Sequence, residues 1–491
     1  MTNRTASVDN VGALVRRLLA GLLCLAGCTV SDAVVRMADA SAGADVSIGA
    51  LPDVDATLSA SRPDTLDSGA PSPLTPADAV SSAGADGGTC GNGTCESGET
   101  SESCCRDCGC AVGSVCDRNL CITPIAITAG GNHTCVLLQE GTAECWGGNQ
   151  FGELGGGFSK NPGNAAPVRV SGLNGAKAIA AGGTFTCGLM GDKTVSCWGS
   201  NSSGQLGTGN TLQSSSPVPV SNLSGVTAIA AGYDYACAVA GGRVKCWGNN
   251  SAGQLGDGTT ETSLVPVDVL GIDSAEKLAA GYASTCAIVS DQTDQTILCW
   301  GDNSDNQLGT SKSASPGVPV AVPGLTNVVG IAASDDQNPT IPSGSVDGSF
   351  CALLGSGAVK CWGANYLWDL GAGSAGSTSM RPLSPAGLLT ASTVAVGGEF
   401  ACAVLTAGQV NCWGNNGTGQ VGNKEANQPS LPVEVTGLTT AVSVATGYQH
   451  ACVLLRDGSA RCWGDNGRFQ LGNDQMPSSY VPVDVFDPVQ K

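Results

Sequence analysis

Paired cysteines are the residues of this chain whose types and spacing most clearly indicate chemistry. The chain has 24 cysteines, and beyond residue 122 they occur as pairs separated by 9 or 10 positions, or by 13 in the fourth pair. A hairpin turn centred between two such cysteines places them opposite each other, as a cross-strand disulfide requires. The third pair is closer in sequence because its turn is Gly241-Gly242, a favoured tight turn, yet its cysteines remain opposite. We predict seven disulfides: Cys135–Cys145, Cys187–Cys197, Cys237–Cys246, Cys286–Cys299, Cys351–Cys361, Cys402–Cys412 and Cys452–Cys462.

The rival interpretation is that these thiols are free and buried. So many cysteines are unusual in the reducing cytosol, so their number favours an exported protein. Each disulfide would close a loop of roughly 11 residues and stabilise the fold by about 2.5–3 kcal/mol in the chain-entropy model.

A second group of cysteines is concentrated in residues 90–121. A segment this small needs covalent cross-links to fold, so four disulfides are expected, with a connectivity that the sequence leaves open. The Cys105-x-x-Cys108 spacing also suits zinc. Four acids in the same segment could bind calcium, but they lack the pattern of a calcium loop, so a solvated acidic surface is the simpler interpretation: Glu96, Glu99, Glu102 and Asp107.

Acid–base catalysis finds little support among the other reactive residues. The chain has two histidines, His133 and His450, and each precedes a repeat cysteine by two positions. Other repeats have Phe185, Tyr235 or Phe400 there, so a structural or surface-contact role is expected. We find no Ser/His/Asp set, phosphate-binding loop or cluster of metal ligands. The sequence therefore predicts a non-enzymatic protein with no metal and no cofactor.

The elements that position the cysteine pairs form a repeat of about 50 residues. The triplet Cys-Trp-Gly recurs with its cysteine at 145, 197, 246, 299, 361, 412 and 462. Each unit begins with an apolar segment ending in Ala-Gly, continues through the cysteine hairpin and a Gln-Leu-Gly loop, and ends in a proline-valine strand. Proline donates no backbone hydrogen bond, so that strand should be an edge. The period indicates a propeller or a solenoid, and strands that are apolar on both faces fit the radial packing of a propeller.

Aromatic residues recur in the loop that follows Ala-Gly. Because they share one register in the repeat, they should lie on one face of the ring, where aromatic anchors would suit a protein interface. The alternative is that they pack between repeats. The candidate binding face consists of Phe185, Tyr233, Tyr235, Tyr282, Phe400, Tyr448 and His450.

The N-terminus has the pattern of an export signal. Arg16 and Arg17 precede a short apolar run, too short to span a bilayer, which is followed by Leu-Ala-Gly-Cys at 25–28. This resembles the lipobox of bacterial lipoproteins and implies that residues 1–27 are removed and Cys28 is lipidated. By the same resemblance Thr29 favours the outer membrane or cell surface. The alternative is an ordinary signal peptide cleaved near Gly27.

Residues 28–89 are rich in Ala, Ser, Asp and Pro and contain no aromatic residue. Such a segment buries too little apolar area to offset its ordering entropy, so we predict a disordered tether. The formal net charge is −19, and the chain lacks the basic surface that nucleic acid requires.

The repeat resembles the regulator of chromosome condensation family. The unit at 445–472 (ATGYQHACVLLRDG…CWGDNGRFQLG) carries its glycine, histidine, Asp-Gly, Trp-Gly, Asn and Gln-Leu-Gly positions. The resemblance covers residues 122–491 and implies an all-β, seven-bladed β-propeller. The family founder's exchange-factor role on chromatin is not carried over, because this chain is acidic and has export features. The cysteine pairs depart from the nuclear pattern and fit an exported bacterial branch.

The fifth repeat departs from the others. Residues 334–351 replace the short approach to its first cysteine, and its proline strand is altered to RPLSPAG at 381–387. An insertion of this kind should emerge at one rim of the ring and serve as a recognition loop.

We expect a monomeric, surface-anchored propeller that binds another protein or macromolecule. The alternatives are a carbohydrate-binding or adhesive propeller, or an inhibitor or regulator of an exported enzyme. An enzyme such as a lyase would need a cluster of unlike polar residues on one rim.

Overall fold

The computed structural model describes residues 110, 114–117, 120–158, 163–290, 295–310, 317–334, 348–373, 376–474 and 477–485. All of them belong to the second of the two units into which the chain divides, Ser81–Lys491. The predicted signal peptide (1–27), Cys28, the tether (28–89), most of the cysteine-rich module and residues 335–347 of the insertion lie outside the described residues. Within the described part of the chain, no helix has the length and apolar character needed to cross a bilayer.

Seven four-stranded antiparallel sheets follow one another along the chain, and each is one repeat. We call the strands of each sheet A to D in chain order. Blade 1 is β3 (Pro124–Ala129), β4 (His133–Leu138), β5 (Ala143–Gly148) and β6 (Gly163–Arg169); blade 2 is β7 (Ala176–Ala181), β8 (Phe185–Met190), β9 (Val195–Gly199) and β10 (Ser214–Pro219); blade 3 is β11 (Val226–Ala231), β12 (Tyr235–Ala240), β13 (Arg243–Gly248) and β14 (Ser263–Asp268); blade 4 is β15 (Ala275–Ala280), β16 (Ser284–Ser290), β17 (Gln295–Gly301) and β18 (Val320–Ala321).

The remaining blades have the same order. Blade 5 is β19 (Val328–Ala333), β20 (Ser349–Leu354), β21 (Val359–Ala364) and β22 (Thr378–Leu383); blade 6 is β23 (Ala391–Val396), β24 (Phe400–Leu405), β25 (Val410–Gly414) and β26 (Val433–Glu434); blade 7 is β27 (Ala441–Thr446), β28 (His450–Leu455), β29 (Ala460–Asp465) and β30 (Ser478–Asp484). The A strands contact one another in sequence, and β27 contacts β3, so the ring is closed. The predicted seven-bladed all-β propeller is confirmed. Each D strand, which lies in the proline-valine segment or, in blade 5, in its altered copy, pairs only with strand C and is the edge of its sheet, as predicted.

One disulfide joins strands B and C of every blade. The two cysteines of each pair are register partners, as Cys237 and Cys246 are in blade 3 and Cys286 and Cys299 are in blade 4. Their Cα atoms are 4.0 to 4.1 Å apart. The hairpin of blade 4 accommodates its longer separation without moving the cysteines out of register. The prediction of one cross-strand disulfide per blade is confirmed.

Every tryptophan of the Cys-Trp-Gly triplets ties its blade to the preceding one. In blade 3, the indole Nε1 of Trp247 donates to the backbone oxygen of Gln205 in blade 2, at 2.9 Å. Trp146 of blade 1 donates in the same way to the backbone oxygen of Gln470 in blade 7, at 3.0 Å, and so closes the ring. Because a buried indole N–H needs an acceptor, this bond explains why tryptophan recurs at one position of the repeat. The other five donors are Trp198, Trp300, Trp362, Trp413 and Trp463.

A short hairpin precedes blade 1 and lies at the junction of the last and first blades. It consists of β1 (Val115–Asp117) and β2 (Leu120–Ile122), and a disulfide joins Cys121 to Cys110. Val115 and Ile122 pack in one hydrophobic cluster with Trp146 of blade 1 and Leu471 of blade 7. The end of the cysteine-rich segment therefore covers the seam where the ring closes.

The two ends of the ring differ in the connections that they carry. The A–B loops and the C–D loops emerge at one end, which we call the loop face. The B–C hairpin turns and the D–A connections emerge at the other end, which we call the turn face. This assignment follows from four antiparallel strands joined in sequence. Ser334 and Gly348, the described residues that flank the insertion of blade 5, lie in an A–B loop, so the insertion starts and ends on the loop face.

Candidate functional site

The C–D loops of the loop face are held by the repeat's own Asn and Gln side chains. In blade 2, Asn201 Oδ1 accepts a hydrogen bond from the backbone N–H of Leu206, at 2.9 Å, and Asn201 Nδ2 donates to two backbone oxygens of the same loop. Gln205 Oε1 accepts from the backbone N–H of Ser203, at 2.9 Å. These bonds fix a loop that contains few apolar residues, so the face is a preorganised surface.

Four residues of the predicted aromatic face are buried between blades. Phe185, Tyr235, Phe400 and His450 each have 0% of their surface exposed. Each begins strand B two residues before a disulfide cysteine, so its side chain shares the cysteine's covered side of the sheet. The prediction that these four residues form an exposed contact surface is wrong. The alternative interpretation holds for them: they pack between blades.

The other three aromatic candidates lie in the A–B loops and are partly exposed. Tyr233 and Tyr282 stack with their ring centroids 5.1 Å apart. The rings of Tyr233 and Tyr448 lie against the backbone of Gly183 and Gly398 in the preceding blades, at distances that leave no room for a Cβ atom. These tyrosines are thus fixed on the loop face, and their role in binding remains a prediction.

Both histidines make hydrogen bonds inside the ring. His450 Nε2 of blade 7 lies 2.8 Å from Thr134 Oγ1 of blade 1, and His133 Nε2 lies 2.9 Å from Thr186 Oγ1 of blade 2. Burial lowers the pKa of His133 to about 4. Burial, with a smaller effect of the nearby His133, lowers the pKa of His450 to about 3. Both imidazoles are therefore neutral near pH 7 and are inaccessible to a substrate.

A cleft on the loop face extends over blades 1 to 3 and has a volume of about 380 Å³. Phe151 of blade 1, Leu212 of blade 2, and Tyr233 and Asp234 of blade 3 line it together with Ser, Thr, Asn and Gln residues. Leu212 is 76% exposed. This mixture of aromatic, aliphatic and polar side chains in one concave surface is typical of binding sites.

Asp234 is the acidic group of this cleft. Its Oδ2 accepts hydrogen bonds from Asn249 Nδ2, at 3.0 Å, and from Ser203 Oγ, at 3.3 Å. Its Oδ1 is buried and has no hydrogen-bond partner. Burial raises the pKa of Asp234, and the hydrogen bonds from Asn249, Ser203 and its own backbone N–H only partly oppose this effect. The carboxylate form is consequently costly in this position.

A smaller cleft of about 70 Å³ adjoins the first and shares Phe151 with it. Its acid is Glu153, whose Oε2 accepts a hydrogen bond from the backbone N–H of Phe151, at 2.7 Å. Burial raises the pKa of Glu153, against the opposing effects of backbone N–H groups and of the positive charge of Arg468. Gly148, at the position where blade 7 has Asp465, is among the residues that line this cleft.

Sequence reasoning missed both acids. Glu153 occupies the position at which other repeats have glutamine, as at Gln205 and Gln254. That departure from the repeat was the available signal. Asp234 lies in an A–B loop beside Tyr233, and the signal that could have found it is Glu399, an acid at the same position of blade 6 whose Oε2 likewise accepts a hydrogen bond from an asparagine amide, that of Asn415, at 2.7 Å.

Charge is distributed unequally between the two ends of the ring. Among the described residues, the loops of the loop face carry two bases, Lys424 and Arg468, whereas the connections of the turn face carry both signs (Glu140, Asp192, Lys193, Asp273, Arg456 and Asp457). The acids in or at the ends of the loop-face loops are Glu153, Asp234, Asp257, Glu261, Asp302, Asp305, Asp369, Glu399, Glu425, Asp465 and Asp474. No group of three or more His, Cys, Asp or Glu side chains in the described ranges is arranged to hold a metal ion.

Sequence comparisons identify the repeat. Two profiles of the regulator of chromosome condensation (RCC1) repeat match the chain, one at residues 194–239, 241–288, 294–338 and 407–454, and the other at 125–153, 176–205, 226–254, 391–420 and 441–470. The chain belongs to the RCC1 repeat family. Neither profile matches residues 339–390, which include most of blade 5. This gap agrees with the altered sequence of the fifth repeat in this RCC1 protein.

Individual relatives share the fold at low identity. The human E3 ubiquitin-protein ligase HERC2 is 26% identical over 319 residues, which cover 64% of this chain and 5% of HERC2. The crystal structure of human WBSCR16 is similar with a TM-score of 0.59 and 22% identity, covering 68% of this chain and 87% of that one. Prp20p of Saccharomyces cerevisiae, whose structure was described with its binding properties to Gsp1p and histones, has a TM-score of 0.59 and 20% identity, covering 74% of this chain and 87% of its own. At these identities the structural likeness establishes the fold.

Proposed function

We propose that this RCC1-repeat propeller is a non-enzymatic binding protein that recognises another protein through its loop face. The observation that carries the proposal is the cleft of about 380 Å³ over blades 1 to 3, with Tyr233 and the exposed Leu212 in its wall. Aromatic and aliphatic anchors beside fixed polar groups are what protein interfaces use.

The rigid blades around this cleft and the burial of both histidines favour binding over catalysis. Disulfides and indole hydrogen bonds hold every blade, so the face changes little when a partner binds. The two histidines, which would be the natural acid–base groups near neutral pH, are buried between blades. Prp20p, which shares the fold, binds Gsp1p and histones, and this likeness supports a protein partner without identifying it.

We also propose that the propeller works outside the cytoplasm, attached through a lipid on Cys28 and the tether of residues 28–89. The seven disulfides support an oxidising location. Mass spectrometry of the mature N-terminus tests the anchor: a diacylglyceryl group on Cys28 is expected, and an unmodified N-terminus beyond residue 28 would contradict it.

The binding face is tested with two exposed leucines at opposite ends of the ring. Leu212, 76% exposed, lies in a C–D loop, and Leu389, 70% exposed, lies in a D–A connection. Immobilised full-length protein should capture a protein partner from its native surroundings. The Leu212→Arg substitution should weaken capture at least tenfold, and the matched Leu389→Arg substitution should leave it unchanged.

Three results would contradict the proposal. They are an empty capture under both low and moderate salt, loss of capture only in Leu389→Arg, or equal capture by both variants. Binding of a glycan array in place of proteins would favour the carbohydrate-binding alternative.

A further inference from the structure

We propose that the cleft over blades 1 to 3 receives an arginine side chain of the protein partner, next to Asp234. This inference rests on the proposed function and specifies the chemistry of the partner. The geometry points to it because Asp234 presents a partly buried carboxyl group that has no cationic partner among the described residues.

The hydrogen bonds within the molecule do not satisfy the whole carboxyl group of Asp234. Its donors are neutral: the Asn249 amide and the Ser203 hydroxyl contact Oδ2, and its own backbone N–H also acts on the carboxyl group. Oδ1 is itself buried and has no hydrogen-bond partner among the described residues. A guanidinium group brings both a positive charge and several N–H donors, which this group needs when it is removed from water.

The neighbouring acid provides an internal contrast. Glu153 lies in the adjoining cleft, and the positive charge of Arg468 acts on it. The larger cleft has no lysine, arginine or histidine among its lining residues. Among the described residues, therefore, a cation acts on Glu153 and none lines the cleft of Asp234.

The walls of the cleft suit a planar cation. Tyr233 lies in the wall beside Asp234, and its ring is fixed by the Tyr282 stack and by the Gly183 backbone. Guanidinium groups stack on aromatic faces while they donate to carboxylates, and an ammonium group cannot do both in one plane. The apolar stem of the incoming side chain would lie against Leu212 and Phe151.

The charge of the loop face acts in the same direction. Its acids outnumber Lys424 and Arg468 among the described residues, and the formal net charge of the chain is −19. Such a surface attracts a basic partner and raises its association rate, an effect that salt screens.

The test uses the full, oxidised chain with a defined probe. Acetyl-Gly-Arg-Gly-amide is titrated against protein carrying ¹³C-methyl leucine, and the methyl signals of Leu212 are followed by NMR. The matched probe replaces arginine with citrulline, which has the same length and is uncharged. We expect the arginine peptide to shift the Leu212 signals and to bind at least tenfold more tightly than the citrulline peptide.

Two variants assign the effect to the cleft. Asp234→Asn should remove the tenfold preference, whereas Asp474→Asn, which removes one charge elsewhere on the loop face, should retain it. If Asp234→Asn does not fold, Leu212→Lys provides a second variant, because its ammonium group at the mouth should weaken the arginine peptide at least fivefold.

The inference is overturned if both peptides bind equally or if Asp234→Asn retains the preference for arginine. Where Asp234→Asn does not fold, undiminished binding of the arginine peptide by Leu212→Lys overturns it. If the peptides fail while a captured partner still depends on Leu212, the arginine inference is wrong and the proposed function stands. If the arginine peptide binds while no protein is captured, the cleft is as inferred and the proposed function is contradicted.

Discussion

Two kinds of buried titratable group distinguish the interior of this propeller from its loop face. Between blades, His450 and His133 each contact a threonine hydroxyl of the next blade. On the loop face, Asp234 has a carboxyl oxygen with no hydrogen-bond partner. His450 Nδ1 is also buried without a hydrogen-bond partner among the described residues, so what separates the two kinds of group is their position: the imidazoles lie between blades, and Asp234 lines a cleft that a partner can enter.

The interior matching extends to the apolar blade boundaries. Where strand B begins with phenylalanine, the next blade offers alanine: Phe185 shares a hydrophobic cluster with Ala236, and Phe400 shares one with Ala451. Where it begins with histidine or tyrosine, the next blade offers threonine, as Thr285 does for the Tyr235 hydroxyl at 2.9 Å. At these five boundaries the residue pair is therefore polar on both sides or apolar on both sides. The boundaries of blades 4–5 and 5–6 do not follow this pattern, because strand B begins with Ser284 or Ser349 and the next blade offers Phe350 or Ala401.

Acid should affect the interior most. The pKa values of His133 and His450 are lowered from 6.5 to about 4 and about 3, so between these values and pH 6.5 the unfolded chain binds protons that the folded chain does not. Stability should therefore fall as the pH decreases through this interval, and the loss should level off below about pH 3. At about 1.4 kcal/mol per pKa unit, the loss amounts to several kcal/mol.

The measurement is urea unfolding between pH 7 and pH 3. Carboxyl groups titrate in the same interval, so the reference is the combined substitution of His450→Phe and Thr134→Ala, which copies the boundaries of Phe185 and Phe400. A pH dependence as steep in this variant as in the original chain would contradict the role given to His450.

The substitutions His450→Phe and Thr134→Ala also test whether the two residues stabilise the blade boundary as a pair. His450→Phe alone should cost about 2 kcal/mol, because the buried Thr134 hydroxyl loses its imidazole partner. Adding Thr134→Ala should recover at least half of that cost. A double-mutant cycle measures the coupling, and additive effects of the two substitutions would show that the boundary is not matched as a pair.

A smaller effect is expected at the boundary between blades 3 and 4. Tyr235→Phe removes a hydroxyl that contacts Thr285 Oγ1 and the backbone oxygen of Ser284. We expect a loss of about 1 kcal/mol in the free energy of unfolding. Tyr480→Phe is the control, since its exposed hydroxyl contacts Gly417 and should contribute less than about 0.5 kcal/mol.

The loop face should respond in the opposite way. Because burial raises the pKa of Asp234, its carboxylate destabilises the folded state as the pH rises above 3.8. Asp234→Asn should therefore leave stability at pH 7 unchanged or raise it, within about 1 kcal/mol. Thermal unfolding of Asp234→Asn and Asp474→Asn measures this, and a loss of more than about 2 kcal/mol in the first would mark Asp234 as a structural group.

The sequence contained enough to predict the ring but not the site. The cysteines stay opposite whatever the turn length between them, as in the hairpins of Cys237 and Cys286, so hairpin geometry could be read directly. The parity of the strand was overlooked for Tyr235: two residues before a buried cysteine, it points to the same side and is covered. Tyr233, four residues before that cysteine, lies in the loop and is partly exposed.

The clefts escaped prediction for a different physical reason. Each combines loops of three blades, so its lining residues, such as Phe151 and Asp234, are far apart in sequence and no single repeat contains the whole set. Repeat analysis emphasises what the blades share, and binding surfaces arise where one blade differs from the others, as at Glu153.

Hydrogen–deuterium exchange of the full chain, alone and with its captured protein partner, tests the loop face most directly. If the loop face is the binding surface, amides of residues 200–213 and 232–234 should gain protection while the B–C turns and D–A connections do not change. Protection confined to the turn face, or none at either end of the ring, would contradict the proposal.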